Sequence, residues 1–73
     1  MPYREYVISH RRKGAQIYEG FDVIAAPSLG SAIETAKARW VKNWNLSFPY
    51  KPDGETQVRQ MEFGLSQSSG VAT

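Results

Sequence analysis

At Pro27-Ser28 the spacing of apolar residues changes from two to between three and four, which divides the chain into a sheet-forming part and a helix. Before the break, Phe21 to Ala26 (FDVIAA) carries aromatic and β-branched residues with no internal breaker. After it, Leu29, Ile33, Ala36, Trp40 and Trp44 recur at helical spacing as far as about Asn45. Proline stops the strand because it has no N–H to give a ladder, and Ser28 is a ready N-cap. Ser31, with Glu34 three residues on, offers a competing capping box. The spacing predicts an amphipathic helix whose apolar stripe must lie on a sheet. Glu34, Ala38, Arg39 and Lys42 fall away from that stripe, and Lys37 and Asn43 border it.

The sheet has to come from the flanking segments. Tyr3 to His10 (YREYVISH) has strand composition, with Tyr6 and Ile8 on one face and Tyr3, Glu5, Val7 and Ser9 on the other. Arg11-Arg12-Lys13-Gly14 then ends in the residue that tolerates positive φ, as a hairpin loop requires. A second extended run spans Gln16 to Ala26, with Ile17, Phe21, Val23 and Ala25 on one face. Glu19 breaks that alternation, and Gly20 beside it marks a bulge. Beyond the helix, residues 46–51 read as a loop or a short edge strand, because Pro49 limits pairing. Lys51-Pro52-Asp53-Gly54-Glu55 has turn chemistry. Thr56 to Phe63 is expected to be the third long strand, with Arg59, Met61 and Phe63 on one face. The small, polar ending SQSSGVAT is expected to be a disordered tail over residues 66–73, leaving one domain over 1–65.

A helix between the second and third strands makes them parallel, with a right-handed crossover. The first strand is antiparallel to both and sits between them. The expected fold is therefore α+β, a β-β-α-β(β) chain with one helix on one face of a small, mainly antiparallel sheet in the order 2-1-3. Nothing in the sequence remains to cover the other face, where Tyr18, Ile24 and some of Tyr3, Val7 and Val58 are expected. An uncovered aromatic face marks a partner site or a dimer interface.

Composition removes several chemistries. A chain of 73 residues has room for one small domain, and its two Trp, four Tyr and three Phe must supply most of the core. With no cysteine there is no disulfide, thiolate zinc site or cysteine nucleophile, which fits a reducing, cytoplasmic setting. The longest apolar run, Val23 to Ala26, is far short of a membrane span, and the polar N-terminus does not read as a signal peptide. His10 is the one histidine. It is expected at the surface of a strand end, with Ser9 pointing to the opposite face, so a Ser–His pair has no support. No carboxylate pair, metal-ligand spacing or glycine-rich phosphate loop is present. The expectation is a non-enzyme without cofactor or metal.

Net charge is only +2 but is laid out in blocks. Residues 1–18 carry +3, 19–36 carry −3, 37–51 carry +4, and Asp53, Glu55, Arg59 and Glu62 return −2. Segregated blocks can become opposed patches that steer towards a charged partner, although local pairing can also neutralise them. Candidate partner-binding residues are Arg11, Arg12 and Lys13 on the hairpin, and Arg39, Lys42 and Trp44 on the helix. Arg11, Arg12 and Lys13 could meet phosphates, and Lys37, Arg39 and Lys42 with Trp44, Phe48 and Tyr50 have the mix of charge and rings that single-strand nucleic-acid binders use. The competing reading is a solvated cationic hairpin and a core tryptophan pair.

The segment FDVIAAPSLGSAIETAKARW, in which a strand ends at alanine and a serine caps an alanine-rich helix, resembles a unit of small phage and prophage proteins. These host-takeover proteins include anti-CRISPR inhibitors and RNA polymerase-binding transcription regulators of Xanthomonas phage. The resemblance covers about a third of the chain and carries no site residues over. It implies a regulator in the host cytoplasm, monomeric or weakly dimeric, that inhibits or redirects a nucleic-acid-processing assembly by contact. RNA polymerase is the first expected target and a CRISPR effector the second. Direct nucleic-acid binding through Arg11, Arg12, Lys13, Arg39 and Lys42 is the alternative.

Overall fold

In the computed structural model, which describes residues 3–66, the chain runs β1 (Arg4–Arg12), β2 (Gly20–Ala26), α1 (Leu29–Ser47), α2 (Gly54–Val58) and β3 (Met61–Leu65). β1 is central and antiparallel to both neighbours, giving the expected order β2-β1-β3. The strand is longer than the YREYVISH segment because Arg11 and Arg12 find partners, Glu62 and Met61, on β3. The chain then turns at Lys13-Gly14, where Gly14 has φ of 86° and the Ala15 N–H bonds the Arg12 carbonyl at 2.9 Å. β2 begins at Gly20 rather than Gln16, because residues 15–19 form the loop. The Glu19 N–H donates to the His10 carbonyl at 2.8 Å although Gly20 is in register with His10. Two residues thus oppose one, as in a bulge. A Cβ at Gly20 would lie 3.0 Å from Cε1 of His10, a tight contact that the imidazole would have to yield to.

Ser28 caps α1, its Oγ accepting from the Ser31 N–H at 3.2 Å. The cap is therefore Ser28 and not the Ser31–Glu34 box. α1 continues through Ser47, so residues 46–51 contain no edge strand, and the chain turns at Pro49-Tyr50.

The strand expected from Thr56 to Phe63 is the main departure. Its first half is α2, and β3 starts only at Met61. Local capping outweighs β-propensity here. Asp53 Oδ1 accepts from the Thr56 N–H at 2.8 Å, a bond that also holds its carboxyl below the usual range. Three contacts tie the segment to α1. Trp44 Nε1 donates to the Pro52 carbonyl at 2.7 Å, and the Gly54 N–H donates to Asn45 Oδ1 at 2.7 Å. Gly54 lies so close that a Cβ would sit 2.7 Å from Cα of Val41. The glycine expected to close a turn is instead where two helices meet.

α1 covers one face of the sheet. Ile8, Ile24 and Ala26 pack there against Ala32 and Ala36, with Tyr6, Ile33 and Phe63 around them. Alanines at the centre of the helix face let α1 approach closely. Larger rings close the end near the hairpin: Trp40 stacks on Trp44 at 5.1 Å between centroids, and Trp44 meets Phe48 at 4.5 Å. Among the described residues no helix is long and apolar enough to cross a membrane. The tail expected at 66–73 lies outside the described residues apart from Ser66. That residue is buried, and its N–H donates to the Val7 carbonyl at 2.8 Å.

Candidate functional site

The face of the sheet turned away from α1 is lined by Val7, Ser9 and Arg11 of β1 and by Phe21, Val23 and Ala25 of β2, by strand alternation and register. The expectation for β2 was the reverse. Ile24, assigned to the open face, is 1% exposed beneath α1, whereas Phe21 is 70% exposed. Both faces of β2 are apolar, so period two alone does not choose between them. Pairing with β1 decides: Ile24 is opposite Tyr6, and Tyr6 and Ile8 form the face that α1 seals. Tyr18 and Val7 are on the open side as expected, and Tyr3 is exposed.

Beside Phe21 a groove of about 560 Å³ runs over the sheet, lined by Val7, Ser9, Tyr18, Glu19, Gly20, Phe21 and Ser66. Tyr18 and Phe21 are its aromatic members, and Ser9 is buried within it. The surface has the composition of an interface core: aromatic and aliphatic groups with few charges.

The charges nearby are internally matched. Arg11 Nε donates to Glu62 Oε1 at 2.9 Å, and its guanidinium lies 5.4 Å from the Tyr18 ring centroid. Arg12 pairs with Glu19 at 3.4 Å, and Arg39 with Asp22 at 3.5 Å. Each pair is exposed, so each contributes at most about 1 kcal/mol to stability. Their consequence is electrostatic: the three arginines of the candidate set already face carboxylates. Lys13 and Lys42 have no ion pair among the described residues.

The six candidate residues do not form one patch. Arg11 leans over the open face, while Arg12 and Lys13 are at the hairpin end. Arg39 bridges α1 to β2, and Lys42 is on the outer side of α1. Trp44 is half-buried between Trp40 and Phe48 and bonded to Pro52, which gives it a part in holding the fold. Phe21 and Val23, the most prominent apolar groups of the open face, were missed as site residues. The charge at Asp22, which shares a face with Ile24, points the other way, because only its pairing with Arg39 of α1 accommodates it there.

His10 is not at the strand-end surface. Its ring packs 5.4 Å from Phe63 and 6.4 Å from Trp40, centroid to centroid. Burial lowers its pKa below the usual value, and the carboxylates of Glu19 and Asp22 oppose that shift. A cavity of about 140 Å³ adjoins it, lined in part by Asp22, Arg39, Trp40 and Asn43. Asp22 is engaged by Arg39, and among the described residues His10 makes no side-chain hydrogen bond to a carboxylate. Ser9 points to the other face. Among the described residues no three His, Asp or Glu side chains are gathered as metal ligands.

Comparison with protein-family models, curated proteins and solved structures returns no match.

Proposed function

We propose that this protein is a non-catalytic docking module whose open sheet face, centred on Phe21, Val23 and the adjoining groove, binds an apolar surface on a larger protein assembly. The observation that carries it is the 70% exposure of Phe21 on an ordered strand whose other face is sealed by α1. Leaving a phenylalanine in water forgoes most of the roughly 1.5–3 kcal/mol that its burial supplies. A partner that covers it recovers that energy. The pairing of Arg11, Arg12 and Arg39 with carboxylates favours a protein over a nucleic acid, because phosphates would have to displace Glu62, Glu19 and Asp22. As a regulator, the module inhibits or redirects its target by occupying a contact surface. Bacterial RNA polymerase is the first target and a CRISPR effector the second.

The test is binding of purified RNA polymerase, or of a purified effector complex, to the full chain and to two variants. Phe21→Asp is expected to weaken binding more than tenfold, on the scale of an interface anchor. Lys42→Glu is expected to leave it unchanged. Salt titration against single- and double-stranded oligonucleotides tests the alternative. Affinity that falls steeply with salt and is lost when Arg11 and Arg12 are reversed to Glu would make the protein a nucleic-acid binder.

A further inference from the structure

Beyond the docking face, we infer that the outer edge of β2 pairs with β2 of a second copy of this chain, antiparallel, with the two-fold axis at Val23. In an antiparallel strand each residue directs its N–H and C=O to one side, and the sides alternate. On β1 the Val7 carbonyl accepts from Ser66 on the β3 side, and the His10 carbonyl accepts from Glu19 on the β2 side. Tyr6, Ile8 and His10 therefore bond to β2 through Ile24, Asp22 and Gly20, their register partners. Phe21, Val23 and Ala25 are left with their backbone groups turned outward, at an edge beyond which no strand lies among the described residues.

This edge lacks the usual protection. Natural edge strands are blunted by lysine, by internal proline, or by shortness. Gly20–Ala26 has seven residues, no lysine and no proline, and its one charge, Asp22, is matched by Arg39. The opposite edge, β3, is shorter at five residues and carries Glu62 and Gly64.

Chemistry also selects the register. With the axis at Val23, all seven residues pair: Phe21 opposes Ala25 of the second copy, a large side chain against a small one, and Val23 opposes itself. Moving the axis to Asp22 sets two carboxylates directly opposite, which is unfavourable. Moving it to Ile24 brings Pro27, which has no N–H, against the outward carbonyl of Phe21. The Val23 register avoids both and yields a closed two-fold pair instead of an open fibre. The product is a six-stranded sheet with the two open faces continuous across the axis.

Sedimentation equilibrium of the full chain across a wide concentration range should show a monomer–dimer equilibrium. Val23→Pro removes two hydrogen bonds at the axis while leaving those to β1, because the Val23 N–H points outward. At about a fivefold change per bond, dimerisation should weaken about twenty-five-fold. The chain has no cysteine, so Val23→Cys places a single thiol at the axis, and mild oxidation should give a covalent dimer. Lys42→Cys on the outer side of α1 should not give one at the same rate. A chain that remains monomeric throughout overturns the inference, as does a dimer in which Val23→Cys crosslinks no faster than Lys42→Cys. If Val23→Pro loses its far-UV circular dichroism, the cysteine pair decides the outcome unaided.

Discussion

The two faces of the sheet are built from similar side chains and differ in what lies over them. On the covered face Ile8 and Ile24 meet Ala32 and Ala36, and nearly all of their surface is excluded from water. On the open face Val23 and Phe21, one and three residues from Ile24 on the same strand, stay in contact with solvent. The difference arises from the small residues Ala32 and Ala36, which let α1 approach β2, with the exposed Asp22–Arg39 pair adding only a weak tie; α2 braces α1 from its other side. That short helix is locked to α1 through Pro52, Asn45 and Gly54. Apolar character alone does not make a core in this chain. A core forms where a second element can approach closely enough to exclude water.

Substitutions measure that contrast directly. Trp40→Ala should cost about 3–5 kcal/mol and Ile24→Ala about 2–5, by chemical denaturation. Phe21→Ala, three positions away on the same strand, should cost under about 1 kcal/mol. Equal losses for Phe21 and Ile24 would break the distinction between the faces. Gly54→Ala comes next, at about 1–3 kcal/mol, since the added methyl must push α2 from the Val41 backbone. A loss of that size would still show as a lowered Tm. Trp44→Phe keeps the stack on Trp40 but gives up the bond to Pro52, which is worth about 1 kcal/mol.

The smallest effect expected is the pH response of His10. Its pKa is lowered in the folded state by burial, so the folded protein prefers the neutral ring. Stability should be constant above the ordinary histidine value near 6.5 and should decline as pH falls from there through the lowered folded value. Denaturant midpoints at pH 7.5 and pH 5 measure it. A His10→Phe variant should flatten the part of the slope that belongs to this ring.

Much of the fold was legible because local rules and topology agreed. Ser28 and the stripe from Leu29 to Trp44 placed α1, and a helix between two strands made them parallel, which let β1 sit between them in the order 2-1-3. Gly54 and Glu55 were read as a turn and Thr56 to Val58 as the start of a strand, whereas the Asp53–Thr56 cap and the anchor on Asn45 make the segment helical. Trp40 and Trp44 were legible as one helical stripe, but their stack, its continuation through Phe48 and the part-burial of His10 depend on packing. The candidate cations were visible as residues, but their carboxylate partners were not. Arg11 and Glu62 are 51 residues apart in the chain and meet only through β-sheet register.

Taken by itself, the amino-acid order determined β1, the capped start of α1 and the strand order, but not α2, because periodicity, capping and crossover geometry act over short range or by topology. Tertiary structure alone decided which side of β2 is dry and which cations remain unpaired. Strand alternation defines two faces without naming the inner one. That choice was made when Ile24 came opposite Tyr6 and the alanines of α1 closed over it.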